Sequence, residues 1–301
     1  MDSRKKALDA LKQKLGDCVH TQDDELYGVS YDGLKVRGSP EALIRVSQTT
    51  EVGDVLKLAN EFRIPVTSRG TGSSLTGGAT PLQGGWVLDL SQLSSIEIDP
   101  TNRLAHCGPG VVVGDLQEQV LEKGLFYPPD PSSKKFCTLG GNVACNAGGL
   151  RCVKYGVTRD YVLSLAGYLP TGEFVRWGRA TRKFATGYNL RDLWIGSEGT
   201  LGVVTEITVR LILSVPSRVT FLAAFSDDQT ALNAPLALSK MGIRPSIIEY
   251  MDQWTIDCLQ KYVGEEVFTG VEPTPMVLIE LDGSVETLAR EASLVEKWLK
   301  E

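Results

Sequence analysis

Ser68-Arg69-Gly70-Thr71-Gly72-Ser73-Ser74-Leu75-Thr76-Gly77-Gly78 is the stretch on which the fold turns. It follows the run Ile64 to Ser68, which reads as a strand, so the glycines arrive where a strand ends. Successive backbone N–H groups can turn inward there as an anion-binding nest, and the Ser and Thr hydroxyls add donors. Two familiar phosphate motifs do not fit. Gly72 and Gly77 have P-loop spacing, but Gly78 and Ala79 stand where Lys and Ser/Thr are required. A dinucleotide G-x-G-x-x-G fails at Leu75, where the third glycine belongs. ATP hydrolysis and nicotinamide binding are therefore weak readings. A turn without a ligand is also a poor explanation, because six glycines between residues 70 and 85 carry a heavy backbone entropy cost.

Two more clusters lie downstream. Pro129-Asp130-Pro131-Ser132-Ser133 precedes Cys137-Thr138-Leu139-Gly140-Gly141-Asn142-Val143-Ala144-Cys145-Asn146-Ala147-Gly148-Gly149. Paired glycines on both sides of small residues let the backbone approach a flat ligand closely, and Asn142 and Asn146 can both donate and accept. Ile195-Gly196-Ser197-Glu198-Gly199-Thr200-Leu201-Gly202-Val203-Val204-Thr205 then leads into an apolar strand. Any one cluster could be turn chemistry; three in one domain argue for a ligand.

Glycine is unevenly spread over the 301 residues: 27 fall in residues 1–218 and four (Gly242, Gly264, Gly270, Gly283) in 219–301. With Pro216, that shift marks a domain boundary near 214–219 in a chain whose length suggests two domains. Hydrophobic content of 42% and charged content of 23% describe an ordinary globular protein. A net charge of -6 argues against a nucleic-acid partner, and no apolar run approaches the 18 or so residues of a membrane helix. Met1 to Leu11 is charged and amphipathic without an apolar signal core, so a cytoplasmic location is expected. The six cysteines form no C-x-x-C pair and neither histidine lies at zinc-ligand spacing from them, so reduced thiols and no metal site are expected.

The apolar spacing predicts helices over Arg4–Leu15, over Asp115–Lys123 and from a cap at Thr50, with Val52, Val55, Leu56 and Ala59 as one buried stripe. Strands are expected over 42–47, 64–68, 86–90, 96–98, 103–107, 161–170, 173–177 and 200–213. In the second part, strands at 219–225, 246–250 and 276–282 alternate with helices at 228–241, 254–263 and 284–300. The fold class is α+β, and this β-α-β-α-β-α order suggests a ferredoxin-like layer that ends without a closing strand. The chain is expected to stop inside a domain.

The set RGTGSSLTGG (69–78), PDPSS (129–133), CTLGGNVACNAGG (137–149), YGVTRD (155–160), LPTGE (169–173), GYNL (187–190) and LWIGSEGTLGVVTEITVRL (193–211) resembles the PCMH-type FAD-binding domain of the vanillyl-alcohol-oxidase superfamily. Within it, the motifs look most like the group of the glycolate oxidase large subunit and the flavin-linked D-lactate and D-2-hydroxyglutarate dehydrogenases, and Ile248 to Asp252 continue the likeness. The resemblance implies an N-terminal helical segment (1–37), a two-subdomain FAD-binding domain (38–214) and a partial ferredoxin-like substrate or cap domain (215–301).

It also implies roles by position. Arg69, Gly70, Thr71, Gly72, Ser73, Ser74, Thr76, Gly77 and Gly78 fall in the segment that holds the FAD pyrophosphate. Pro129, Asp130 and Pro131, with Thr138, Gly141, Asn142, Ala144, Asn146, Gly148 and Gly149, fall where the isoalloxazine and ribityl parts lie. Tyr155 belongs to the next motif. Glu198, Gly199, Gly202 and Val204 fall near the adenosine and flavin edges. Many relatives attach FAD through a His where this chain has Ser73, so dissociable FAD is expected; Cys137 lies one residue from where some place a second link.

Oxidising a 2-hydroxy acid requires a hydride acceptor, a base for the hydroxyl proton and a cation for the carboxylate. Relatives use cap-domain histidines, often with a metal. His20 and His106 are the two histidines here; His20 reads as a surface residue and His106 as a satisfied, partly buried one. The catalytic residues stay unassigned and are expected beyond residue 301. The basic residues between Arg151 and Arg191 could face an anionic substrate, a partner or solvent, and Arg159 with Asp160 reads as a structural ion pair. The implied activity is oxidation of a D-2-hydroxy acid of the glycolate or D-lactate type, with electrons passed to an acceptor other than oxygen. The implied partner is an electron-transfer subunit or a membrane-associated acceptor, which would hold the chain at the inner face of a membrane. The alternative is a non-catalytic FAD-binding subunit of a larger complex.

Overall fold

The computed structural model describes residues 3–263 and 274–300; Met1, Asp2, Gly264, Gly270 and Glu301 lie outside them. The described chain divides into two compact units. The first takes residues up to 127, then 131–147 and 157–213; the second takes 128–130, 148–156 and the residues from 214 onward.

The first unit opens with α1 (Ser3–Leu15), β1 (Val19–His20), α2 (Asp23–Gly28), β2 (Ala42–Arg45), α3 (Thr49–Phe62), β3 (Val66–Arg69) and β4 (Trp86–Asp89). These strands form a sheet in the order β1-β2-β4-β3, parallel except for β1. The predicted stripe of Val52, Val55, Leu56 and Ala59 packs with Ala7 and Leu11 of α1 against Ile44, Trp86 and Leu88. Each large side chain so buried contributes about 1.5–3 kcal/mol. The start of α3 differs from expectation. Thr49 is already helical, and the Glu51 carboxylate accepts the backbone N–H groups of Ser47 (2.8 Å) and Gln48 (2.9 Å), half of a capping box rather than a Thr50 cap.

β3 and β4 are parallel neighbours, yet residues 70–85 between them contain no helix. A parallel connection normally crosses over through a helix. Its absence explains why helix-based nucleotide motifs do not fit this loop.

The rest of this unit contains β5 (Ile96–Asp99), β6 (Leu104–Cys107), α4 (Val113–Leu121), β7 (Leu125–Phe126) and α5 (Leu139–Cys145). After α6 (Cys152–Tyr155), which belongs to the second unit, come β8 (Val162–Tyr168), β9 (Phe174–Gly178), α7 (Leu190–Trp194), β10 (Val203–Arg210) and β11 (Ile212–Leu213). An antiparallel sheet runs β5-β6-β10-β8-β9, and β7 pairs with β11. The strand expected over 200–213 starts only at Val203 and breaks at Leu211. Gly199 (φ 78°) and Gly202 (φ 154°) hold the preceding residues out of the sheet.

The second unit is built from β12 (Ser217–Ala224), α8 (Asp228–Leu232), α9 (Ala234–Lys240), β13 (Ile247–Met251), α10 (Gln253–Val263), β14 (Met276–Gly283) and α11 (Val285–Lys300). β14 lies between β12 and β13 and is antiparallel to both, a split β-α-β arrangement with α10 added. Ala231, Ala234, Leu238, Leu288 and Val295 pack on Val277, Ile279 and Leu281. The single helix expected over 228–241 is two helices. Pro235 sits in the first turn of α9, where its missing N–H is harmless; inside a continuous helix it would break a bond.

Candidate functional site

α5 is the hub of the site. Thr138 caps it, its hydroxyl accepting the N–H of Gly141 (3.4 Å). Gly70 packs on that hydroxyl so closely that a Cβ there would overlap Thr138 Oγ1. The glycine of the first cluster is thus required by the cap of the second. At the other end of α5, the N–H of Gly196 donates to Val143 O (3.0 Å) and that of Glu198 to Ala144 O (2.9 Å), which satisfies carbonyls of the last turn. Glu198 adopts φ 51°, the left-handed region rare for a non-glycine residue.

Side chains complete the stitching. Glu198 accepts from the Thr76 hydroxyl (3.0 Å), Thr76 Oγ1 meets Ser74 Oγ (2.9 Å), and Ser74 Oγ meets the Cys145 thiol (3.7 Å). The three glycine-rich segments, distant in sequence, form one wall.

They enclose an open cleft of about 1090 Å³ within the first unit. Of the residues named from sequence, Arg69, Gly70, Thr71, Gly72, Ser73, Ser74, Gly78, Pro131, Thr138, Gly141, Asn142, Ala144, Glu198, Gly199, Gly202 and Val204 line it. Ser68, Ser133, Gly140, Cys145, Ala147 and Ser197, which lie inside the quoted clusters without an individual role, line it as well, as do Ala79, Leu90, Pro109 and Trp194, which lie outside those clusters. For Cys145, the signal was its place inside the quoted cluster of residues 137–149.

Thr76, Gly77, Pro129, Asp130, Asn146, Gly148, Gly149 and Tyr155 are not among the lining residues. Thr76 acts through Glu198, as described. Asn146 ends α5 at φ 47°, and its Oδ1 accepts the Arg159 N–H (2.9 Å). Pro129, Asp130, Gly148, Gly149 and Tyr155 fall in the second unit.

Two features of the cleft concern a ligand directly. Asn142 is 3% exposed, and its Nδ2 has no hydrogen-bond partner of good geometry among the described residues, the Cys137 thiol being its near neighbour. A buried amide N–H left unpaired is costly unless something else accepts from it. Arg69 lines the cleft yet is largely spent on structure. Its guanidinium donates to Ala79 O (3.0 Å) and so closes the ends of the loop, with burial lowering its pKa against the pull of Asp32 and Asp89. Burial raises the Cys145 thiol pKa, the Ser74 contact opposes the rise, and the Glu198 and Asp32 charges add to it.

The other expectations near the site need correction. Arg159 makes no ion pair with Asp160; its guanidinium donates to the carbonyls of Asp192 (2.5 Å) and Ile195 (2.6 Å), while Asp160 accepts the N–H of Val157 (2.8 Å). Arg159 thereby holds the segment that carries Glu198. His106 is exposed rather than partly buried, with Nδ1 3.0 Å from Thr208 Oγ1. His20 is half-buried beside Glu25 (3.2 Å) rather than a free surface residue. Neither histidine lines the cleft.

The basic stretch is not one face. In the second unit, Arg151 Nη1 pairs with Asp130 (2.9 Å), and Lys154 pairs with the fully buried Asp282 carboxylate, which also accepts from Tyr155 OH (2.7 Å). Arg176 pairs with Glu206 (2.5 Å) in the first unit. Among the described residues, no group of three His, Cys, Asp or Glu side chains could hold a metal, and no helix is long and apolar enough to cross a membrane.

Residues 40–178 match the family described as FAD binding domain, and residues 215–301 the family described as FAD linked oxidases, C-terminal domain. The chain is 40% identical over 269 residues to the glycolate oxidase subunit GlcD of Bacillus subtilis, covering 89% of this chain and 57% of that protein. It is 37% identical over 264 residues to a D-lactate dehydrogenase of Anaerostipes hadrus, covering 85% and 55%. The chain thus spans a little over half the length of these relatives. Among solved structures, p-cresol methylhydroxylase with substrate bound superposes with a TM-score of 0.80 at 20% identity, over 99% of this chain and 64% of that one. An alkyldihydroxyacetonephosphate synthase superposes with a TM-score of 0.81, also at 20% identity, over 98% and 59%. At that identity the likeness is one of fold.

Proposed function

This chain belongs to the FAD-linked oxidases, with FAD as cofactor, and from that premise we propose that it is the flavin-binding part of a dehydrogenase for a D-2-hydroxy acid of the glycolate or D-lactate type. One observation carries the cofactor site: the cleft that the three glycine segments line contains a buried Asn142 amide with no partner of good geometry among the described residues. The residues fit such a group. The backbone of residues 70–74 offers close approach and amide donors to a pyrophosphate, and Asn142 offers a donor to a polar ring edge. Trp194, Leu90 and the prolines supply apolar wall that keeps water from a flat ligand. FAD, when bound, supplies the acceptor for the α-hydrogen of the hydroxy acid.

Ser73 carries no group for a covalent flavin link, so the FAD of this proposal is dissociable. Acid precipitation is expected to move the yellow colour into the supernatant; colour retained in the pellet contradicts this.

A second reading has its own support: His20 and His106, the two imidazoles of the chain, both lie outside the lining of the cleft. Those positions permit a non-catalytic FAD-binding subunit of a glycolate-oxidase-like complex that works with an electron-transfer partner. Anaerobic mixing of the FAD-loaded full-length gene product with a panel of D- and L-2-hydroxy acids separates the two. Bleaching of the flavin by a D-acid supports the dehydrogenase; an unchanged flavin spectrum with every acid favours the subunit.

A further inference from the structure

Cys145 stands in the wall of the cofactor cleft, exposed, and 3.7 Å from Ser74 in the opposite segment. One turn earlier on α5, the 3%-exposed Asn142 lines the same cleft with an amide that lacks a partner of good geometry among the described residues. The unpaired amide points to a ligand seated against this face of α5, and a ligand seated there also covers the thiol. The other cysteines do not share this position. Cys107 and Cys137 are buried, Cys18 and Cys152 are half-buried outside the lining, and exposed Cys258 lies on α10 of the second unit.

We propose that Cys145 is a thiol-modification site that is open to small soft electrophiles while the cleft is empty and closed when FAD is bound, so that modification and cofactor loading exclude each other. The inference rests on the assignment of this cleft to FAD. The chemistry is a conjugate addition to an activated C=C bond. The sulfur forms a bond to one alkene carbon, the C=C π bond breaks, and the thiol proton ends on the neighbouring carbon, with no oxidant needed. The adduct then fills space between Ser74 and α5 and breaks the chain of contacts from Cys145 through Ser74 and Thr76 to Glu198. The thiolate is the nucleophile. Although the residue is exposed, the surrounding wall desolvates the Cys145 thiol and raises its pKa, so its reaction keeps accelerating with pH beyond the range where a fully solvated thiol has levelled off.

The test treats the full chain with N-ethylmaleimide, flavin-stripped and FAD-loaded, and follows each cysteine by peptide mass mapping. FAD at 100 times its dissociation constant leaves about one cleft in a hundred open, so labelling of Cys145 is expected to slow by about two orders of magnitude while Cys258 labels equally in both forms. Stripped protein labelled at Cys145 is expected to take up no FAD, whereas in Cys145→Ala the reagent leaves FAD uptake at that variant's own untreated level. Equal labelling of Cys145 with and without FAD overturns the proposal but not the cofactor reading, as does full FAD uptake by the adduct. Unmodified protein that takes up no FAD overturns the cofactor reading, and the gating with it.

Discussion

Gly70 shows what a residue-level reading of sequence can and cannot reach. That a glycine belongs in a strand-to-loop nest is legible from Ser68 to Gly78; that the Thr138 hydroxyl is the neighbour that forbids a Cβ is not, because 68 positions separate the two. Gly70→Ala is expected to overpack that contact at about 1–3 kcal/mol and weaken FAD binding tenfold or more at roughly the same cost, read by flavin titration. Arg159 was legible as a structural residue but its partners were not. Adjacency suggested Asp160, whereas the guanidinium reaches the carbonyls of Asp192 and Ile195. Because a fork-shaped donor serves two carbonyls, Arg159→Lys retains the charge and loses one bond. The expected outcome is a lower Tm and a dissociation constant for FAD raised about tenfold, since a hydrogen bond to a charged group is worth about 1.5–3 kcal/mol. Unchanged FAD affinity in that variant would show that the Glu198 segment holds its shape without it.

At the scale of elements, periodicity located most strands and the long helices to within a few residues, because burial on one face sets the spacing of apolar side chains. It missed α5. Seven residues with Gly140 and Gly141 in the first turn give no apolar stripe, and the helix exists because its two ends are satisfied by Thr138 and by the 196–198 backbone. It also merged α8 and α9, since the apolar spacing runs through Pro235. Lys154 of α6 was open to a substrate, a partner or solvent on sequence alone, because the strand that carries its partner Asp282, β14, lies more than a hundred residues later. Asp282 has no solvent-exposed side-chain surface, and Lys154 and Tyr155 both depend on it. Asp282→Ala is expected to destabilise the chain by about 3 kcal/mol, the lower end for a broken buried pair because Lys154 can still reach water. Denaturant unfolding checks this; a loss under 1 kcal/mol on the same scale would mean that the pair adds little to the unit.

For the whole molecule, the uneven glycine content marked which unit holds the glycine-lined cleft, and the seven motifs in order marked its family. Residues 128–130 and 148–156 group with the second unit, although they flank α5 in the chain. Composition carries no trace of such interleaving. The central claim is that the three glycine segments form one FAD site in the first unit. The most direct measurement is an equilibrium titration of flavin-stripped protein with FAD, followed by flavin fluorescence, on the parent chain and on Gly70→Ala. The account predicts saturable binding at one FAD per chain, weakened about tenfold or more by the substitution. Binding of equal affinity to both proteins, or none to the parent, would contradict it.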